Sequence, residues 1–163
     1  MAATKKTASK KSAKAKPADA IALLKEDHRT VMGLLESLER ATGARRTKLL
    51  GQIEQELQVH TQIEEEIFYP AYRDAGRKKD DQTMYYEAVE EHNVVKAFLP
   101  EAKGGANKEA EKAKAKVLKE LVEHHAEEEE KEMFPRARQV MERDELRELG
   151  ERMAARKKEL TGK

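Results

Sequence analysis

The chain contains no cysteine and no tryptophan. Without thiols, disulfide frameworks, thiolate zinc sites, iron–sulfur ligation and cysteine nucleophiles are all excluded. Proline and glycine are sparse, at four and eight of 163 residues, and no run of β-branched residues marks a strand. No stretch approaches the roughly 18 consecutive apolar residues that a membrane span needs. The N-terminus also lacks the apolar core of a secretory signal, so the sequence predicts a cytoplasmic protein with no membrane span.

What is present favours helix. Ala, Glu, Lys, Leu and Arg dominate and charged residues make up 40% of the chain, a composition of strong helix formers. The length is one domain's worth, so an all-α domain follows. A net charge of +1 hides an asymmetry: six of the 33 basic residues (Lys5, Lys6, Lys10, Lys11, Lys14, Lys16) lie in the first sixteen positions with no acid among them. The remainder then carries 27 basic against 32 acidic residues. This division predicts a disordered, lysine-rich arm over residues 1–17 and a helical domain over 18–163. The arm reads as a solubilising tail, with weak contact to nucleic acid or an anionic surface as the alternative. No aromatic interleaves its lysines, so base stacking is not expected.

Apolar residues recur at helical spacing in five segments. Ile21, Leu24, Val31, Leu35 and Leu38 form the first stripe, entered from Asp19 as N-cap and broken at Thr42-Gly43. Leu50, Ile53, Leu57 and Ile67 form the second, ending near Gly76, with a loop predicted over 77–81. Tyr85, Val89, Val95 and Leu99 form the third, predicted to halt near Pro100. Leu118, Val122 and Met133 form the fourth, and a final amphipathic piece runs from Asp144 to about Leu160. The short connections predict an up-down-up-down four-helix bundle with a short extra C-terminal helix.

Four of the five histidines repeat in matched frames. His60-Thr-Gln-Ile-Glu64-Glu65-Glu66-Ile-Phe68-Tyr69-Pro70 is echoed in register by His125-Ala-Glu-Glu-Glu129-Glu130-Lys131-Glu-Met133-Phe134-Pro135. Upstream of each lies a helix with one histidine, His28 and His92. Every one of these histidines has apolar residues one and two turns before it, which places all four on inward faces. Residues four apart on a helix can reach a common point, so His60 with Glu64 and His125 with Glu129 each form half a chelate. Together with His28 and His92 they supply four nitrogens and two carboxylates, enough for two ions bridged by both glutamates, with positions left open for a bridging oxide and a small ligand. Two inward carboxylates on apolar faces call for a cation. Imidazole and carboxylate without thiolate favour iron over manganese or zinc. His124 with Glu128 offers a competing register, but alignment on Pro135 selects His125 and leaves His124 on the rim. Pro70 and Pro135 free the carbonyls of Glu66 and Lys131 and are expected to kink or end their helices. Tyr69, Tyr72, Tyr85 and Tyr86 are the hydroxyls available to a bound ligand.

With His28, His60-x-x-x-Glu64, His92 and His125-x-x-x-Glu129 in that order, residues 19–160 resemble the hemerythrin-like, HHE cation-binding family. The resemblance implies a four-helix bundle around a non-haem di-iron centre, with His28, His60, Glu64, His92, His125 and Glu129 as ligands and two irons bridged by oxide and carboxylate. It departs from the oxygen-carrying hemerythrins at Lys96, where they have a second histidine, and at Glu129, where they use aspartate. The six-ligand pattern is closer to bacterial HHE proteins and to the di-iron iron–sulfur repair proteins, whose cysteine-bearing extension is missing here. It implies a small diatomic or peroxide ligand, bound for sensing, storage or detoxification. The alternatives are a di-iron enzyme that disproportionates peroxide and a metal-free helical interaction protein.

Overall fold

A computed structural model describes residues 19–162, so the lysine-rich arm of residues 1–17 lies outside the described residues. Five helical rods make up the described chain, with no strand among the described residues. We label them α1 (Ala20–Glu39), α2 (Gly43–Ile63, continuing through a π-helical turn Glu64–Phe68 into Tyr69–Ala75), α3 (Lys79–Ala102), α4 (Lys108–Glu128, continuing through a π-helical turn Glu129–Met133 into Phe134–Val140) and α5 (Arg143–Thr161). The first four close a ring in which α1 meets α2 and α4, and α3 meets α2 and α4, while α5 lies across α1 and α2. None of these helices is long and apolar enough to cross a membrane.

Local chemistry sets the boundaries. Asp19 caps α1 by accepting the Ala22 N–H at 2.8 Å, and Asn107 caps α4 by accepting that of Ala110 at 2.9 Å. Helix α3 begins at Lys79, inside the stretch expected to be loop. The reason is Asp81, which folds back to accept the Lys78 backbone N–H at 3.0 Å and so satisfies a first-turn donor. Helix α3 passes through Pro100 and stops at Ala102, near the predicted end. In the last turn a proline removes one hydrogen bond from a helix already ending, and the buried Arg46 guanidinium donates to the Ala102 carbonyl at 2.8 Å.

Pro70 and Pro135 do not end their helices either. Each chain segment widens by one residue first: Tyr69 N–H reaches the Glu64 carbonyl and Phe134 N–H reaches that of Glu129, five residues back instead of four. The proline then falls in the first turn of the α-helical segment that follows, a position where its fixed φ is well suited and its missing N–H costs least.

The interior divides into two apolar clusters. One, at the proline end, gathers Ile21, Leu24, Ile63, Phe68, Phe134 and Met153; the other, toward the opposite end, gathers Val31, Leu35, Leu38, Ile53, Leu57 and Leu118. Each fully buried leucine there contributes about 2 kcal/mol. The two clusters are separated by a layer of buried polar residues: His28 lies between Leu24 and Val31, and His60 between Leu57 and Ile63.

Candidate metal centre

That polar layer contains all six residues singled out by the repeated frames. His28, His60, Glu64, His92, His125 and Glu129 are each no more than 5% exposed. They fall into two groups able to hold an ion, His28 with His60, Glu64 and Glu129, and Glu64 with His92 and His125. The histidines pair across neighbouring helices, with ring centroids 4.9 Å apart for His28 and His60 and 4.6 Å for His92 and His125. The glutamates lie between the pairs. Glu64 Oε2 is 3.2 Å from His60 Nε2 and 3.3 Å from His92 Nε2; Glu129 Oε2 is 3.1 Å from His28 Nε2 and 3.6 Å from His125 Nε2. Each carboxylate thus touches one histidine of either pair.

The π-helical turns position these carboxylates, since Glu64 and Glu129 are the first residues of the two widened turns. A residue five places on is thereby carried toward the same face, and Tyr69 uses it. Its hydroxyl donates to Glu129 Oε1 at 2.8 Å and lies 3.2 Å from His92 Nε2. The other three tyrosines stay away from the layer: Tyr72 turns to Asp81 and Met84, Tyr85 sits under the Arg73 guanidinium, and Tyr86 is 61% exposed.

A ring of outer carboxylates backs the imidazoles. His28 Nδ1 pairs with Glu130 at 2.9 Å, His92 Nδ1 with Glu65 at 2.8 Å and His125 Nδ1 with Glu91 at 2.7 Å, while His60 Nδ1 faces Asp27 at 3.7 Å. Glu130 and Asp27 act across α4–α1 and α1–α2, Glu65 and Glu91 across α2–α3 and α3–α4. Each acid also meets a cation or a further imidazole: Lys25 on Glu130, Lys96 on Glu65, Lys157 of α5 on Asp27 and His124 on Glu91. Sequence reasoning passed over these acids, although the repeat held the signal: Asp27-His28 matches Glu91-His92, and Glu64-Glu65 matches Glu129-Glu130. Lys96, at the position of the extra hemerythrin histidine, reaches Glu65 and remains half-exposed.

Several atoms of the layer have no hydrogen-bond partner although water cannot reach them: His28 Nε2, His60 Nε2, both Glu64 oxygens and Glu129 Oε2. Buried polar atoms left in this state cost about 1–3 kcal/mol each. On the other side, His92 Nε2 and His125 Nε2 are 3.0 Å apart. With each Nδ1–H directed at a carboxylate, two nitrogen lone pairs face one another there, which is repulsive unless a positive charge lies between them. The donor set therefore fits cations at both pairs.

Charge among the layer's own groups is unevenly settled. Burial and the neighbouring Glu129 charge push the Glu64 carboxyl well above the usual carboxylate range. Burial acts on Glu129 in the same direction, but His125 and His28 outweigh it and hold that carboxyl low. Burial pushes the His60 imidazole down to about 4 against the pull of Asp27, so at neutral pH its Nε2 lone pair is free to bind a cation. His124 stands apart, 65% exposed on its side chain and paired with Glu91 and Glu128, on the rim where the Pro135 register places it.

Residues 19–137 match the hemerythrin HHE cation binding domain. Uncharacterized proteins of Mycobacterium bovis (Mb2666c) and Mycobacterium tuberculosis (MT2709 and Rv2633c) are similar to the chain, each 30% identical over 143 residues, which is 86% of both chains. No solved structure gives a significant match. With the paired frames, the buried histidine–glutamate layer and the domain match in agreement, the chain belongs to the hemerythrin family of HHE cation-binding domains.

Proposed function

We propose that His28, His60, Glu64, His92, His125 and Glu129 would hold two non-haem iron ions, with Glu64 and Glu129 available to both histidine pairs. We further propose that this centre takes up a small ligand, oxygen, peroxide or nitric oxide, for sensing, storage or detoxification. The observation that carries this reading is the placement of Glu64 and Glu129, buried, with three of their four oxygens lacking a hydrogen-bond partner and each carboxylate in reach of one histidine from either pair. Imidazole and carboxylate donors without thiolate favour iron over manganese or zinc. Bound iron supplies Lewis acidity and a reversible change of oxidation state.

The chain's own residues do the rest. Glu130, Glu65 and Glu91 fix the imidazole tautomer by taking Nδ1–H, which presents Nε2 as the donor and raises its basicity. Beside the four imidazoles lies a small cavity of about 20 Å³ whose apolar walls include Val31, Leu57, Val95 and Val122. That volume admits one water-sized or diatomic guest and excludes larger substrates. Its apolar walls also keep bulk water from the centre. The test is to load the protein with iron without air and record absorption spectra on adding oxygen, nitric oxide and peroxide in turn. A saturable spectral change with at least one ligand, absent in His60→Ala, is expected; no change with any of them would remove this reading.

A second reading, a peroxide-disproportionating enzyme built on the same residues, is favoured by Tyr69. Its hydroxyl, hydrogen-bonded to Glu129 and next to His92, is a proton-bearing group at the edge of the layer. Gas evolution from peroxide above that of free iron, lost in His60→Ala and Glu129→Ala, supports it; turnover equal to free iron rejects it.

A further inference from the structure

Three of the four outer acids are neutralised by a lysine, Lys25 on Glu130, Lys96 on Glu65 and Lys157 on Asp27. The fourth, Glu91, differs. In place of a lysine it meets His124, whose Nε2 lies 3.4 Å from Glu91 Oε1 and 3.3 Å from Glu128 Oε1. Among the described residues no lysine or arginine pairs with Glu91 or Glu128. At this corner two carboxylates share one imidazole, where each of the other three outer acids has a lysine. One nitrogen and two carboxylate oxygens lie there within 4.8 Å of one another, the spacing of a cation site.

The corner also leads inward. A narrow crevice of about 40 Å³ between α3 and α4 is lined by Glu87, Glu91, Glu128 and Glu132 and is bounded by Glu129. Glu129 is 1% exposed, and its Oε2 has no partner. Four acids gathered with the buried Glu129 carboxylate around one crevice, whose remaining walls are Met84, Ala88 and Met133, concentrate cations there and lower the cost of stripping their water. The other sides of the layer offer no such gathering: the groove beside Glu65 carries Lys96 at its wall, and the one beside Glu130 carries Lys25 and Arg29.

We propose that Glu91, His124 and Glu128 form a surface site for a divalent cation, and that the crevice beneath is the route by which ions pass to Glu129. The passage rests on the buried centre proposed above; the surface site does not. Glu91 joins the two, since its other oxygen holds His125 Nδ1 at 2.7 Å.

The experiment is cobalt(II) binding to the metal-free full chain, counted by equilibrium dialysis and timed by the growth of the visible absorption band. Three proteins are compared: wild type, His124→Ala with Glu128→Gln, and Glu64→Gln with Glu129→Gln. Expected are three ions for wild type, two for the surface variant with buried filling slowed at least several-fold, and one for the buried variant. Equal counts in wild type and the surface variant overturn the surface site, and equal filling rates overturn the route. A single ion in wild type, lost only in the surface variant, leaves the surface site standing and removes the buried centre instead.

Discussion

Tyr69 donates its hydroxyl hydrogen to Glu129 Oε1 over 2.8 Å, and Phe134, which holds the corresponding place in the second half of the repeat, has nothing to donate and stacks on His28 instead, 5.8 Å between ring centroids. The two halves of the centre are therefore unequal in spite of their matched donors. Burial first, and then the charges of Glu129 and Glu64, raise the Tyr69 hydroxyl well above its usual value, so it remains a donor throughout the physiological range. Tyr69→Phe is predicted to keep the fold and cost the metal-free protein about 1.5–3 kcal/mol, the range for a hydrogen bond to a charged group. Urea unfolding checks this; an unchanged midpoint would show that the contact contributes nothing.

Glu64→Gln separates stability from binding. The Glu64 carboxyl is buried, unpaired and pushed toward its neutral form, and glutamine replaces it at nearly the same volume. The metal-free variant is predicted to melt at or above the wild-type temperature, yet to lose the stabilisation that added iron gives wild type. A large drop in metal-free stability would instead make Glu64 a structural residue.

Much of this layer was legible in the sequence, because the duplicated frame puts nitrogen and oxygen donors on inward faces at fixed spacing. His28 and His92 could be placed because apolar residues precede each by one and two turns. The π-helical turns at Glu64 and Glu129 could not. A change from four-residue to five-residue hydrogen bonding leaves no mark on apolar periodicity, and Pro70 and Pro135 suggested kinks or ends where the chain instead widens before them. The contact of Tyr69 with Glu129 depends on that widening. Asp27, Glu65, Glu91 and Glu130 were hidden for another reason: in a chain this rich in acids, a carboxylate beside an inward histidine or glutamate looks like surface.

At Gly150 in α5, an added Cβ would lie 2.7 Å from Ala20 N and 2.7 Å from the Asp19 carbonyl carbon, both backbone atoms that cannot step aside. Gly150→Ala is predicted to push α5 off α1 at a cost of about 1–3 kcal/mol, and with it to loosen Lys157 from Asp27, behind His60. Gly33, inside α1 with nothing within 4 Å of its added Cβ, serves as control. There the same substitution is predicted to stabilise by about 0.5–1 kcal/mol. Thermal melts of the two variants that shift in the same direction would contradict the packing of α5.

Asp81 gives an acid dependence distant from the centre. Arg136 holds it with Nε to Oδ1 at 2.6 Å and Nη2 to Oδ2 at 2.9 Å, and these bonds, against burial, bring its carboxyl down to about 2 from an ordinary 3.8. A folded value below the unfolded one means stabilisation that is complete above about pH 4 and is lost as pH falls through about 2. Asp81→Asn is predicted to cost roughly 1–3 kcal/mol at neutral pH and to approach wild type as pH nears 2. Unfolding curves that remain equally separated from neutral pH to pH 2 would contradict the assignment to Asp81.

The central claim is that the histidine–glutamate layer binds a pair of ions. Its most direct measurement is elemental analysis joined to the absorption spectrum, made on protein loaded with iron and freed of excess, across pH. Two irons per chain at neutral pH are predicted, released below about pH 5 as the imidazoles take up protons. Wild-type protein that retains no metal at neutral pH, or whose metal content is the same in His60→Ala and Glu129→Ala, would contradict it.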